Sequence, residues 1–146
     1  MKEEIRQLTN KEFLDFVMEV DEEFNPPLSH RLNLEEYVSK LYSLSDLFYE
    51  FSDNGLLSGV VAIYLYDCKN DKAFIPFVAV KKEKRGKGIA KRILLKAIKA
   101  ARAKGKTEIG IATNNPVALH LYESLGFKKI DGNYDEIHHP QLIITL

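Results

Sequence analysis

A single cysteine, Cys68, leaves this 146-residue chain without an internal disulfide and without a thiolate metal cluster. Cys68 lies in the polar turn Asp67-Cys68-Lys69-Asn70-Asp71, with no His or Arg beside it to lower its pKa, and is read as incidental rather than nucleophilic. The four histidines do not fall at zinc-protease spacing, so no metal is expected. No apolar run approaches the ~20 residues of a membrane span, and Met1-Lys2-Glu3-Glu4-Ile5 lacks a signal-peptide layout. The expectation is a soluble, cytoplasmic protein that engages no membrane. Nothing marks a linker or a repeat, which at this length predicts one domain over residues 1–146. A P-loop is excluded, because the glycine-rich stretch is not followed by Gly-Lys-Ser/Thr at the required gap.

Net charge is also lacking, since 21 bases balance 21 acids, but the balance hides a division. Residues 1–55 carry 13 acids against 5 bases, whereas residues 81–106 carry 12 bases and the single acid Glu83. A basic segment suits phosphate groups, and an acidic front half suits a cationic amine. Most of these lysines are read as a solvated helix face, and only Lys84, Arg85, Lys87, Lys91 and Arg92 lie close enough to the glycine-rich stretch to claim a ligand role. No aromatics interleave the bases from Lys81 to Lys106, so a nucleic-acid partner is not expected.

Apolar spacing predicts a short strand at Ile5 to Leu8, then a helix capped by Thr9 or Asn10 with Phe13, Phe16, Val17 and Val20 inward. That helix stops before Asn25-Pro26-Pro27. After a loop, Asn33 caps a second helix with Leu34, Tyr37, Val38, Leu41 and Tyr42 on its buried stripe. Leu47 to Phe51, Leu57 to Tyr66 and Lys72 to Val80 read as an antiparallel meander. Pro76, lacking an N–H, belongs at an edge or a bulge. A helix from Gly88 to about Lys104 carries Ile89, Ile93, Leu94, Ala97, Ile98 and Ala101 on one stripe and stops at Gly105. Thr107 to Ala112 is a strand, Pro116 opens a helix through about Leu125, and Phe127 to Ile130 and Leu142 to Leu146 close the sheet. The fold class is α+β, a central mixed sheet of six to seven strands flanked by about four helices.

The richest feature is Arg85-Gly86-Lys87-Gly88-Ile89-Ala90, a strand end, a tight glycine turn and a helix start. Glycines let the backbone approach an anion, and first-turn N–H groups have no intrahelical partner, so the turn suits a pyrophosphate. Alone, the pattern also fits an ordinary helix-starting turn. A second stretch stands behind one more strand: Asn115, Ala118 and Tyr122, closing on Gly126-Phe127. Together the two stretches resemble the GNAT superfamily of N-acetyltransferases. Its phosphate signature Gln/Arg-x-x-Gly-x-Gly/Ala is matched by Arg85, Gly88 and Ala90, and its Asn-x-x-Ala-x-x-x-Tyr stretch by Asn115, Ala118 and Tyr122. The close match covers roughly residues 74 to 132; the front half agrees in element order only.

The resemblance implies acetyl-CoA as cosubstrate. It implies a bulged third strand splayed from its parallel neighbour, with the backbone of Val78 and Val80 pairing with pantetheine in the gap. The N–H groups of Gly86, Lys87, Gly88, Ile89, Ala90 and Lys91 would hold the pyrophosphate behind Arg85, with Lys84 and Arg92 also close to the turn. A backbone N–H near Val78 would polarise the thioester carbonyl. Tyr122 matches the family's general acid, protonated at neutral pH with an ordinary pKa of ~10. Asn115 would bind the cofactor or fix Tyr122, and it equally suits an N-cap before Pro116.

An alkylamine of pKa ~10.4 must lose its proton to a base or to water before it attacks. Some relatives that acetylate protein N-termini carry a glutamate five residues before the asparagine; the position here is Gly110, which disfavours that acceptor. Glu50 is the first candidate base, because a strand holds it rigidly, followed by Tyr64, Tyr134, Glu136, His138 and His139. The family's acceptor site borders the connection between the first two helices, which makes His30 and Arg31 candidate contacts. His120, two residues from Tyr122, falls on another helix face and is read as solvent-facing. The resulting expectation is acetyl-CoA-dependent acetylation of a small-molecule primary amine. A protein lysine or N-terminal acceptor and a non-catalytic acyl-CoA sensor are the alternatives, and a homodimer is compatible.

Overall fold

Thr9 starts the first helix through a reciprocal cap. Its hydroxyl accepts the Glu12 N–H at 3.1 Å and the Glu12 carboxylate accepts the Thr9 N–H at 3.1 Å, fixing the beginning of α1 (Asn10–Val20). The computed structural model describes residues 6–24, 26–65, 71–113, 116–130 and 141–146. Ile5 lies outside them, and the rest of the strand expected at Ile5 to Leu8 is not a strand. Two tyrosine side chains take the Leu8 backbone instead: its N–H donates to the Tyr49 hydroxyl at 3.1 Å and its carbonyl accepts from Tyr42 at 2.9 Å. The cap at Thr9 leaves no length for a ladder. Tyr42, expected on the buried stripe, is 39% exposed, with its hydroxyl bound to Leu8.

After α1 the chain makes 3₁₀ turns at Asp21–Glu23 and Leu28–His30. Asn33 then caps α2 (Leu34–Leu44), its side chain accepting the Glu36 N–H at 3.1 Å. The strands β1 (Asp46–Phe51), β2 (Leu57–Tyr64) and β3 (Lys72–Val80) form the expected meander. A crossover through α3 (Ile89–Ala103) leads to β4 (Glu108–Ile111), parallel to β3. The chain continues through α4 (Pro116–Ser124) to β5 (Lys128–Lys129) and β6 (Leu142–Thr145). Among the described residues one six-stranded mixed sheet results, in the order β1-β2-β3-β4-β6-β5, together with four α-helices.

Both faces of the sheet are covered, which is why every residue of β2 is buried. Val61 and Ile63 join the α3 stripe of Ile89, Ile93, Leu94, Ala97, Ile98 and Ala101 on one face. Val60, Ala62 and Tyr64 join Phe13, Phe16, Val17, Val38 and Leu41 of α1 and α2 on the other. Ile93 and Leu94 are fully buried, and truncating either to alanine is worth about 2–5 kcal/mol.

Pro76 sits where alternation along β3 breaks. Tyr64 pairs with Phe74 and Ala62 with Phe77, so two steps on β2 span three on β3. The extra residue changes faces: Ala73 and Ile75 pack on the α3 side, whereas Phe77 packs with α1 and α2. Pairing of β3 with β4 ends at Ile75, immediately before the proline. Among the described residues no helix is long and apolar enough to cross a membrane.

Candidate active site

Beyond Pro76 the β4 side of β3 carries no strand partner among the described residues, because β4 runs only from Glu108 to Ile111. The ladder to β2 determines which backbone groups face that side. Lys81 N–H donates to Ser58 O at 2.9 Å, so the bonded positions are Lys81, Ala79 and Phe77. Val80 and Val78 therefore turn their N–H and carbonyl groups away from β2, toward the splay. Of these, the Val80 carbonyl accepts Arg85 Nε at 3.3 Å. Among the described residues Val78 is left with an open pair of backbone groups, the arrangement an extended ligand can join as an added strand.

The splay runs into the glycine turn. Gly86 and Gly88 have φ of 80° and 76°, which L side chains rarely adopt. Gly88 is the N-cap of α3 and supplies no side-chain cap, so the first-turn N–H groups are left for a ligand. Ile89 is buried, Ala90 partly buried, and Lys87 and Lys91 exposed. Gly59 on β2 allows α3 to start this close to the sheet: a Cβ there would lie 3.0 Å from Val80 Cγ2, 3.1 Å from Ile89 Cγ2 and 3.2 Å from Ala79 O. Sequence reading passed over Gly59, although an isolated glycine inside a strand signals close backbone approach.

The cations around the turn fall into two groups. Lys81 pairs with Glu19 at 3.1 Å, Arg85 with Glu23 at 2.7 Å, and Arg92 with Glu50 at 2.7 Å. Among the described residues Lys84, Lys87 and Lys91 form no ion pair, and they are the charges available to an anionic ligand.

Glu50 is thus bound by Arg92 through two oxygens, Nε to Oε2 at 2.7 Å and Nη2 to Oε1 at 2.9 Å. These hydrogen bonds hold its carboxyl below the usual range against the upward pull of burial, with the charges of Arg92 and Lys96 adding to them. The third guanidinium nitrogen, Nη1, donates to the Lys87 carbonyl at 2.8 Å.

Tyr122 lies on α4, which begins shortly beyond the end of β4. Its side chain is 5% exposed and packs in the core that also holds Ile111, Val78 and Ala90, 6.0 Å centroid to centroid from Phe127. Among the described residues its hydroxyl has no hydrogen-bond partner. Burial pushes the phenol above its ordinary pKa and keeps it protonated.

On the side of α1 and α2, the buried Asp21 accepts the Ser29 N–H at 2.9 Å and the Ser29 hydroxyl. Burial pulls its pKa up, but the hydroxyl and N–H of Ser29 and the Leu28 N–H outweigh that and leave it lowered. Tyr37, from α2, reaches the Pro76 carbonyl at 3.4 Å, and burial, with Tyr64 beside it, raises its phenol while Arg31 opposes. Phe24 and Phe13 pack on Phe77 at 5.7 Å and 5.8 Å. His30 and Arg31 are exposed in the adjoining turn, and His120 is exposed on α4. Asn115, Cys68, Tyr134, Glu136, His138 and His139 lie outside the described residues. Among the described residues no three His, Cys, Asp or Glu side chains gather as a metal-binding group.

The model of the acetyltransferase (GNAT) family matches residues 3–127. Among curated proteins none matches the chain. Solved structures share its fold. A GNAT-family acetyltransferase from Staphylococcus aureus Mu50 has a TM-score of 0.75 at 17% identity, over 93% of this chain and 92% of that one. A GNAT-family acetyltransferase from Streptococcus pneumoniae has a TM-score of 0.71 at 22% identity, over 97% and 98%. The PaiA N-acetyltransferase from Thermoplasma acidophilum, in complex with coenzyme A, has a TM-score of 0.69 at 20% identity, over the full length of both chains. At these identities the structures carry the fold, and the family model carries the membership: the chain belongs to the GNAT acetyltransferase family.

Proposed function

We propose that the chain, as one catalytic domain, transfers the acetyl group of acetyl-CoA to the primary amine of a small molecule. The observation that supports this most is the splay of β3 from β4 beyond Ile75, with the backbone of Val78 facing it, followed after a 3₁₀ turn at Lys82–Lys84 by the uncapped start of α3. A pantetheine arm fits the edge and a pyrophosphate fits the turn; the similar PaiA enzyme was solved with coenzyme A. When bound, acetyl-CoA supplies an activated thioester.

The Val78 backbone groups align the arm, and an N–H at this bulged edge faces the acyl oxygen. The N–H groups from Gly86 to Lys91, with Lys84, Lys87 and Lys91, hold the phosphates, while Arg85 fixes the turn through the Val80 carbonyl. Tyr122, kept protonated by burial, donates a proton to the departing sulfur. Asn115, one residue before Pro116 in the sequence, is assigned to the cofactor or to Tyr122 on the strength of the family motif alone. The acceptor enters between the turn at Asp21–His30 and Tyr37, where acids outnumber bases along the chain. Glu50, engaged on Arg92 and more acidic than a free carboxylate, is a weak base, so the ammonium proton is assigned to water in this reading.

Release of free CoA thiol from acetyl-CoA, measured across polyamines, amino sugars and amino acid derivatives, tests the reading. Release that depends on one class of amine supports it. Binding without release for any amine or peptide amine would replace it with an acyl-CoA sensor.

A further inference from the structure

We infer that Glu50 and Arg92 form a positioning pair that sets the Lys87–Gly88 peptide for phosphate binding; this rests on the acetyl-CoA reading above. Arg92 belongs to the first turn of α3, where a cation opposes the helix dipole and would compete for an incoming phosphate if left free. It is not free. Glu50, from edge strand β1, fixes the guanidinium through both carboxylate oxygens, at 2.7 Å and 2.9 Å. The remaining nitrogen then holds the Lys87 carbonyl at 2.8 Å.

In a planar trans peptide the C=O and the following N–H point in opposite directions. Holding the Lys87 carbonyl toward Arg92 therefore turns the Gly88 N–H the other way, away from the guanidinium. Two glycines at positive φ flank Lys87, so this segment has the backbone freedom to rotate that peptide if nothing holds it. Gly88 also makes room for the brace, because a Cβ there would stand 3.2 Å from Arg92 Nη1. Glu50 acts through Arg92, which holds both of its carboxylate oxygens.

The sign of one substitution separates this role from the others open to Glu50. Glu50→Gln removes a negative charge near a site for anions, so electrostatics alone makes CoA bind more tightly. A base that acts only in turnover leaves CoA affinity unchanged. A brace makes binding weaker. By calorimetry on the full chain, Glu50→Gln is expected to raise the CoA Kd about fivefold. Arg92→Gln and the double variant should give a non-additive cycle. In the ligand-free protein, the amide resonances of Gly86 and Gly88 should broaden or split in Glu50→Gln while the thermal midpoint moves little. Unchanged or tighter CoA binding, an additive cycle, or unaltered Gly86 and Gly88 resonances would overturn the brace. Wild-type protein that fails to bind CoA would instead sink the acetyl-CoA reading, with the ligand-free resonances still reporting on the brace.

Discussion

Arg85 joins the two halves of the molecule: its Nη2 lies 2.7 Å from Glu23 Oε1, at the end of the turn after α1, while its Nε holds the Val80 carbonyl at 3.3 Å. The first residue of the phosphate signature is therefore tied to the segment beside the acceptor entrance. Unlike Glu50, Glu23 has no contact that orients the Lys87–Gly88 peptide. Glu23→Ala removes a negative charge near the phosphates and should tighten CoA binding about twofold, an effect that shrinks as salt is raised. Calorimetry at low and high ionic strength checks this, and weaker binding at both would contradict it.

Tyr122→Phe should leave the CoA Kd within about twofold of wild type and lower kcat at least about tenfold. The pH dependence has a definite sign. Burial raises the Tyr122 pKa above the ordinary ~10, so the proton donor stays protonated across the working range. The rate should rise with pH as the amine deprotonates and show no fall below pH ~10 from loss of the tyrosine proton. A wild-type profile that declines by pH 8 or 9, with the decline absent in Tyr122→Phe, would contradict the raised pKa, and an unchanged kcat in Tyr122→Phe would remove Tyr122 from the acid role.

Gly59→Ala places a methyl against Val80 Cγ2 at 3.0 Å, Ile89 Cγ2 at 3.1 Å and the Ala79 carbonyl at 3.2 Å. The backbone oxygen cannot turn aside as a side chain can. Overpacking of this kind costs about 1–3 kcal/mol, and it lifts the start of α3 away from β3, so stability and CoA affinity should fall together. Urea unfolding and calorimetry on the same variant test the link; lost stability with unchanged affinity would separate Gly59 from the site.

Asp21 should give the fold an acid-sensitive joint. Its pKa is lower in the folded chain than in the unfolded one, so its stabilising effect is complete above the unfolded value of ~3.9 and is lost as pH falls through the folded value. Asp21→Asn should lower Tm by about 3 °C at pH 7 and by less as pH approaches 3. A difference that stays constant from pH 7 to 3 would show that the carboxylate charge is not what matters there.

Local chemistry made much of this legible in sequence. Spacing of Ile89, Ile93, Leu94, Ala97 and Ile98 marked α3 and its inward stripe, and Thr9 and Asn33 marked their helix starts, because caps and periodicity depend on neighbours a few residues away. Pro76 marked its bulge by lacking an N–H. What stayed hidden depends on distant partners. The Glu50–Arg92 pair spans 42 positions, and nothing in the sequence separates the cations that pair with Glu19, Glu23 and Glu50 from Lys84, Lys87 and Lys91. Leu8 was misread for the same reason: its backbone partners are tyrosine side chains 34 and 41 residues away, which no strand pattern encodes.

Calorimetric titration of the full chain with acetyl-CoA, set beside dephospho-CoA, tests the proposed donor site most directly. One-site binding in the micromolar range is expected, weakened by Gly88→Ala because the turn needs φ near 76° and the backbone N–H groups it presents. No binding at millimolar acetyl-CoA would contradict the reading, leaving the Arg85 to Ala90 turn as the start of a helix and no more.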